Sequence, residues 1–166
     1  MKNIKFTAIL AIFLLSAAVS SAWASADFSG DGTEESPYKI TSVEDLNTLA
    51  ALVNSGNDFK DTYFEVTDDI SYDVTQTDNG NNYTAIGTIG DGGIHPFKGK
   101  FNGNGHTISG IRIYKPNDFQ QGLFGMLDEG AEVENLKLAD VEITGGQFTG
   151  GIAGVGRSSS IRNCTV

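Results

Sequence analysis

Val133-Glu134-Asn135-Leu136-Lys137-Leu138 and Ile161-Arg162-Asn163-Cys164-Thr165-Val166 carry one pattern of apolar, polar and amide side chains at a constant offset of 28 (161 − 133). Upstream, Ile108-Ser109-Gly110-Ile111-Arg112-Ile113 matches the first of these at an offset of 25 (133 − 108). Gly122-Leu123-Phe124-Gly125 corresponds to Gly151-Ile152-Ala153-Gly154 at 29 (151 − 122). Repeats of this length mark a solenoid, in which one repeat cannot bury its own apolar face and stacking supplies the core.

A leucine-rich solenoid needs Asn or Cys three residues after its last strand leucine, but Val141 follows Leu138 at that distance. The connection Gly145-Gly146-Gln147-Phe148-Thr149-Gly150-Gly151 cannot be a helix. A parallel β-helix remains, with equivalent residues of successive coils stacked at the ~4.8 Å strand spacing. The expected stacks are Ile108/Val133/Ile161, Ile111/Leu136/Cys164 and Ile113/Leu138/Val166, with Asn135 over Asn163 as an amide ladder. Of 21 glycines, 18 lie from Gly80 onward, and they are expected at coil corners where positive φ is required.

Ahead of the coils, residues 27–40 open with turn formers and end extended. Thr41 with Glu44 forms a capping-box pattern, and Leu46, Leu49, Ala50 and Val53 recur at helical spacing before Gly56. One short amphipathic helix is therefore predicted, lying across the first coil. Strand periodicity begins at Tyr63, and Asp78-Asn79-Gly80-Asn81-Asn82 is a turn signal. The organisation read from the chain is an export signal over 1–24, a lead-in and capping helix over 25–62, and coils over 63–166.

The export signal rests on Lys2 and Lys5, the apolar Phe6–Val19 stretch and the small-x-small site Ala22-Trp23-Ala24. Those 14 apolar residues fall short of the ~20 that span a bilayer, so the mature chain is not expected to insert in a membrane. The full chain has 11 basic and 21 acidic residues, a net charge of −10, and loss of Lys2 and Lys5 makes it −12. With no basic face, nucleic acid is excluded as a partner. One cysteine excludes an internal disulfide and a thiolate zinc site. The alternating run that ends at Val166 leads us to expect further coils in a longer protein.

The chain resembles bacterial surface proteins that carry the glycine-rich GLUG-type repeat. The resemblance lies in Phe97-Lys98-Gly99-Lys100-Phe101-Asn102-Gly103-Asn104-Gly105-His106-Thr107-Ile108-Ser109-Gly110-Ile111, in Gly122-Leu123-Phe124-Gly125, and in Gly150-Gly151-Ile152-Ala153-Gly154 leading to Asn163-Cys164. Gly32-Thr33-Glu34-Glu35-Ser36-Pro37-Tyr38 looks like the lead-in of such proteins. It implies an all-β fold, a right-handed parallel β-helix solenoid of the pectate-lyase-like kind with a short N-terminal capping α-helix. It leaves activity open, because related repeats sit in adhesins and beside catalytic domains.

No residue pattern demands catalysis, a cofactor or a metal. His95 and His106 lack the spacing of a metallopeptidase helix, and His106 is expected at a corner, hydrogen-bonded to backbone. Asp68 and Asp69, read as strand neighbours, point to opposite faces, and Asp78–Asn82 lacks the glutamate that closes a calcium loop. Arg112 is expected outward, near Glu134, as a surface ion pair. Phe97, Phe101, Phe124 and Phe148 are expected to fill corners, whereas Tyr83 and Tyr114 are the candidates for exposed carbohydrate contact. Asn163-Cys164-Thr165 fits a glycosylation triplet, but Cys164 falls in the inward register. The function expected is a non-enzymatic module, extracellular or at the cell surface, for adhesion or for binding a glycan or host surface protein. A polysaccharide-cleaving enzyme and a passive spacer are the alternatives.

Overall fold

The computed structural model describes residues 28–90 and 93–166. The expected export signal, with its cleavage site before Ser25, lies outside the described residues. The chain is a parallel β-solenoid of about four turns with one short helix.

The first coil begins with β1 (Tyr38–Ile40) and continues as α1 (Val43–Asn54). Ser42 is the N-cap, accepting from the Asp45 amide at 3.2 Å, while Asp45 reaches back to the Thr41 amide at 2.8 Å. The capping box expected at Thr41/Glu44 is thus shifted by one residue, because both Ser42 and Asp45 can play their parts one position on. Leu46, Leu49, Ala50 and Val53 are buried, as their spacing predicts, and Gly56 ends the helix at φ +108°. The helix occupies the rest of the coil that β1 starts, so it covers that end of the core.

The second coil carries β2 (Tyr63–Val66) and β3 (Ile70–Ser71), then a side hairpin of β4 (Ile89–Gly90) and β5 (Gly93–Ile94). The third has β6 (Lys100–Asn102), β7 (Thr107–Ser109), β8 (Arg112–Lys115) and β9 (Phe124–Leu127). The fourth repeats them as β10 (Glu132–Glu134), β11 (Lys137–Ala139), β12 (Glu142–Gly145) and β13 (Ala153–Gly156), and β14 (Ser160–Arg162) opens the next. The longest sheet runs β1-β2-β6-β10-β14, all parallel. Its inward residues Phe64, Phe101, Val133 and Ile161 stack in register, and Ile70, Ile108 and Leu138 do so on the next face.

This register confirms the offset of 28 between Val133 and Ile161 and corrects the offset of 25. Val133 stacks on Phe101, not Ile108, and Ile113 stacks on Ile143, not Leu138. The expected stacks Ile108/Val133 and Ile113/Leu138 do not form, nor does Ile111 under Leu136, which lies over Gly103. The reason is that these two corners share one local pattern: an apolar residue two positions before a left-handed one, then apolar residues one and three after it. Ile108-Gly110-Ile111-Ile113 turns about Gly110 at φ +76°, and Val133-Asn135-Leu136-Leu138 turns about Asn135 at φ +54°. They resemble each other as corners but belong to different edges of the solenoid. Measured along the long sheet, the coil spacing is 26 (64 − 38), then 37 (101 − 64), 32 (133 − 101) and 28 (161 − 133).

Left-handed residues stack at the corners, but they are mostly not glycine: Asn135 beneath Asn163, Gly110 beneath Asp140, Gln120 beneath Phe148, Glu129 beneath Ser158. Many glycines do other work, since the backbone of another coil passes where a side chain would stand, as at Gly125 and Gly154. The amide ladder does form. Asn163 donates to Asn135 Oδ1 at 3.2 Å, and Asn135 donates to Asn102 Oδ1 at 3.1 Å, extending it one coil further.

Candidate functional site

The outward face of the long sheet is a charged ladder around a groove of about 450 Å³. Lys39 pairs with Glu65, Lys100 with Glu132 at 2.7 Å, and Arg162 with Glu132 at 2.6 Å and Glu134 at 3.3 Å. Each charged group in these rungs is already answered by another. Arg112 points outward as expected, but it meets Asp140 at 2.8 Å and Glu142 at 3.6 Å, while Glu134 belongs to Arg162. The expected Arg112–Glu134 proximity does not form, because Glu134 lies over Asn102 on the long sheet while Arg112 lies under Glu142 on another face.

Asp68 and Asp69 lie in the bend between β2 and β3 rather than on a strand. Asp69 accepts from the Thr107 amide at 2.8 Å and faces His106 Nδ1 at 3.2 Å. His106 is therefore a corner residue whose ring meets a carboxylate, not backbone, because the long Gly103–His106 corner carries it over to the neighbouring coil. Asp78 and Asn81 exchange backbone hydrogen bonds at 2.8 and 2.9 Å, the turn chemistry read from their types. His95 lies beside Gly56. Among the described residues, no three His, Cys, Asp or Glu side chains converge as a metal site would require.

The aromatic expectations split. Phe97, Phe101 and Phe124 are buried, with Phe124 5.2 Å from Phe97 and 5.4 Å from Phe101 between ring centroids. Phe148 instead is 58 % exposed at a left-handed corner. Tyr83 is buried and donates its hydroxyl to the Leu123 carbonyl at 3.0 Å, so it is not a carbohydrate contact. Burial pushes its phenol well above the usual range. Tyr114 is exposed as expected. Cys164 is half-buried, its thiol against the Val133 carbonyl, and Asn163 is exposed but engaged in the ladder.

A side cleft was missed by sequence reasoning. Between Tyr114 and Gln121 the third coil is two residues longer than the fourth, since Tyr114 pairs Thr144 at 30 and Gln121 pairs Thr149 at 28. The resulting loop, Pro116-Asn117-Asp118-Phe119-Gln120, overhangs Thr84, Thr88 and Ile89 of the coil below and encloses about 370 Å³. Phe119 is 49 % exposed there. Gln121 Nε2 donates to the Phe119 carbonyl at 2.8 Å, while its buried Oε1 has no partner. Aligning the two coils across the Pro-Asn-Asp turn signal reveals this insertion in the sequence.

The ion pairs make stability depend on acid. The Arg157 guanidinium bound to Asp128 holds that carboxyl below the usual carboxylate range, and Lys100, followed by Arg162, does the same for Glu132. A carboxyl lowered in the fold contributes stability that is present above its unfolded pKa, about 4, and is lost as pH falls through the folded value. Thermal melting should accordingly show a loss below about pH 4 that is shallower in the Asp128→Asn/Glu132→Gln variant. An identical acid slope in variant and parent would refute the assignment.

The fold and these surfaces define a parallel β-solenoid module with satisfied rungs and an overhung side cleft. No family model and no solved structure matches the chain. It is 35% identical over 141 residues to halomucin of Haloquadratum walsbyi, an alignment covering 83% of this chain and 2% of that protein. It is 29% identical over 136 residues to a protein of Evansella cellulosilytica described as a Gly-rich membrane protein, covering 82% of this chain and 15% of that one. The chain therefore spans a small part of the length of these relatives. No helix among the described residues is long and apolar enough to cross a membrane.

Proposed function

We propose that the chain is a secreted or surface-displayed β-solenoid module, akin to GLUG-type repeats, that binds rather than cleaves. The carrying observation is the charge pairing of the long sheet. Glu65, Glu132 and Glu134, the carboxylates along its rungs, are each engaged by Lys39, Lys100 or Arg162. Acid hydrolysis of a sugar chain needs two carboxyls across the scissile bond with distinct acid and base states. Carboxylates committed to neighbouring cations are poorly disposed to face a sugar as a free pair, which supports binding over cleavage. A halomucin and a Gly-rich membrane protein as relatives support placement at the surface. The acidic composition supports solubility in such a setting.

The test incubates the chain with neutral and acidic polysaccharides and follows reducing ends and unsaturated products, alongside retention of the chain on the same polymers. Retention without turnover is expected. Sustained product formation would replace this reading with the enzymatic one.

A further inference from the structure

We propose that the cleft under the Lys115–Gln121 loop is a binding site for an uncharged hexopyranose chain, with the Phe119 ring as its stacking platform. This rests on the binding-module reading above and assigns it a place and a ligand class. Three observations carry it.

The first is the platform. Phe119 leaves about half of its surface exposed beside a concavity, where the C–H face of a pyranose can cover it. Its backbone is held by the buried Gln121 amide, so the ring is presented from a fixed position.

The second is the state of the polar groups around it. Thr84, Thr88, Asn117, Lys115 and Asp118 line the cleft, and none of their side chains is engaged by another protein group among the described residues. Convergent, unengaged donors and acceptors beside one apolar surface are what a polyhydroxylated ligand requires. The long sheet offers the opposite, with its ions paired internally.

The third is charge and extent. Lys115 and Asp118 cancel, the other polar groups are neutral, and the chain as a whole carries −10, which disfavours a polyanion. Through Thr84 and Lys115 the cleft meets a second hollow of about 760 Å³, lined by amide side chains such as Asn47, Gln76 and Asn79. The exposed ring of Tyr114 packs by Gly80 at that hollow's rim. That run suits several sugar units rather than one. A protein partner would require a larger apolar centre than one ring and Ile89 provide.

The test is calorimetric titration of the whole chain with cello-, manno- and galacto-hexaose, and with polygalacturonate as the anionic probe. At least one neutral hexaose should bind, Phe119→Ala should weaken it at least tenfold, and Thr84→Val should weaken it several-fold with melting unchanged. Tyr63→Ala, on the long-sheet groove, should leave affinity unchanged. If Phe119→Ala melts early, Thr84→Val and Asn117→Ala carry the test. Full affinity in the cleft variants overturns the site while leaving the binding module standing. Binding of polygalacturonate alone, or of none of the probes, overturns the ligand class. Turnover of a bound hexaose would sink the parent reading instead, whatever the Phe119 dependence.

Discussion

Phe124→Ala should destabilise the chain by about 3–5 kcal/mol, the range for removing a fully buried phenylalanine and leaving a cavity. Phe124 is fully buried, and its ring lies between those of Phe97 and Phe101. Its backbone is fixed from both sides, bridging Ile86 in the coil below and pairing with Ala153 in the coil above. A rigid stack cannot close around the void, which places the cost toward the upper end. Since domains hold only about 5–15 kcal/mol in total, such a loss leaves the fold marginal. Phe148→Ala is the matched control. That ring is mostly in solvent, so truncating it should change stability by no more than about 0.5 kcal/mol. Urea denaturation reads both, with an unchanged slope showing that the stack still unfolds as one unit. Equal losses for the two variants would show that burial does not set the energetics of this solenoid.

The contrast between these two phenylalanines shows what the sequence makes legible. Both flank glycine turns, and residue type alone assigns both to corners filled from within. What separates them is their place on the coil: Phe124 lies on β9 with its ring buried, whereas Phe148 sits at the left-handed corner above Gln120, at φ +63°. The stretches from Gly122 to Leu138 and from Gly151 to Val166 were readable because their registers nearly coincide, with Gly122/Gly151 at an offset of 29 and Val133/Ile161 and Asn135/Asn163 at 28. Earlier coils were not, because the Ser71–Tyr83 connector, the Ile89–Ile94 hairpin and the Gly103–His106 corner each add residues without changing the stacked positions. The helix was legible because Leu46, Leu49, Ala50 and Val53 must meet one core face. The side cleft was not found, since it arises where one coil is two residues longer than the next, and an alignment at a single fixed offset passes over that insertion.

The other large effect concerns what the glycines are for, and it separates close approach from backbone freedom. Gly125 sits in β9 and faces Gly154 in register in the coil above. A Cβ on Gly125 would stand 2.3 Å from the Gly87 carbonyl oxygen and 2.6 Å from that of Gln120. Both are backbone atoms, so no rotamer change relieves the contact, and the coils must part. Gly154 meets the same difficulty, with the Phe148 carbonyl oxygen at 2.4 Å. Overpacking a side chain ordinarily costs about 1–3 kcal/mol, and a clash between backbones of successive coils should exceed that, so Gly125→Ala should cost more than about 4 kcal/mol. Gly105→Ala tests the alternative. Gly105 holds φ +81° at a corner, and a Cβ there would meet nothing within 4 Å. Its cost should be only the left-handed strain, about 1–2 kcal/mol. Chemical denaturation compares the pair, and amide exchange should show protection lost from Ile86 to Leu127 first in Gly125→Ala. Should Gly105→Ala prove the more damaging, positive φ would be the reason for glycine here and the close approach of the coils would be incidental. The geometry argues the reverse, because at these corners Asn135, Asp140 and Ser158 adopt left-handed backbone without being glycine, while nothing larger than hydrogen fits where one coil's backbone crosses another.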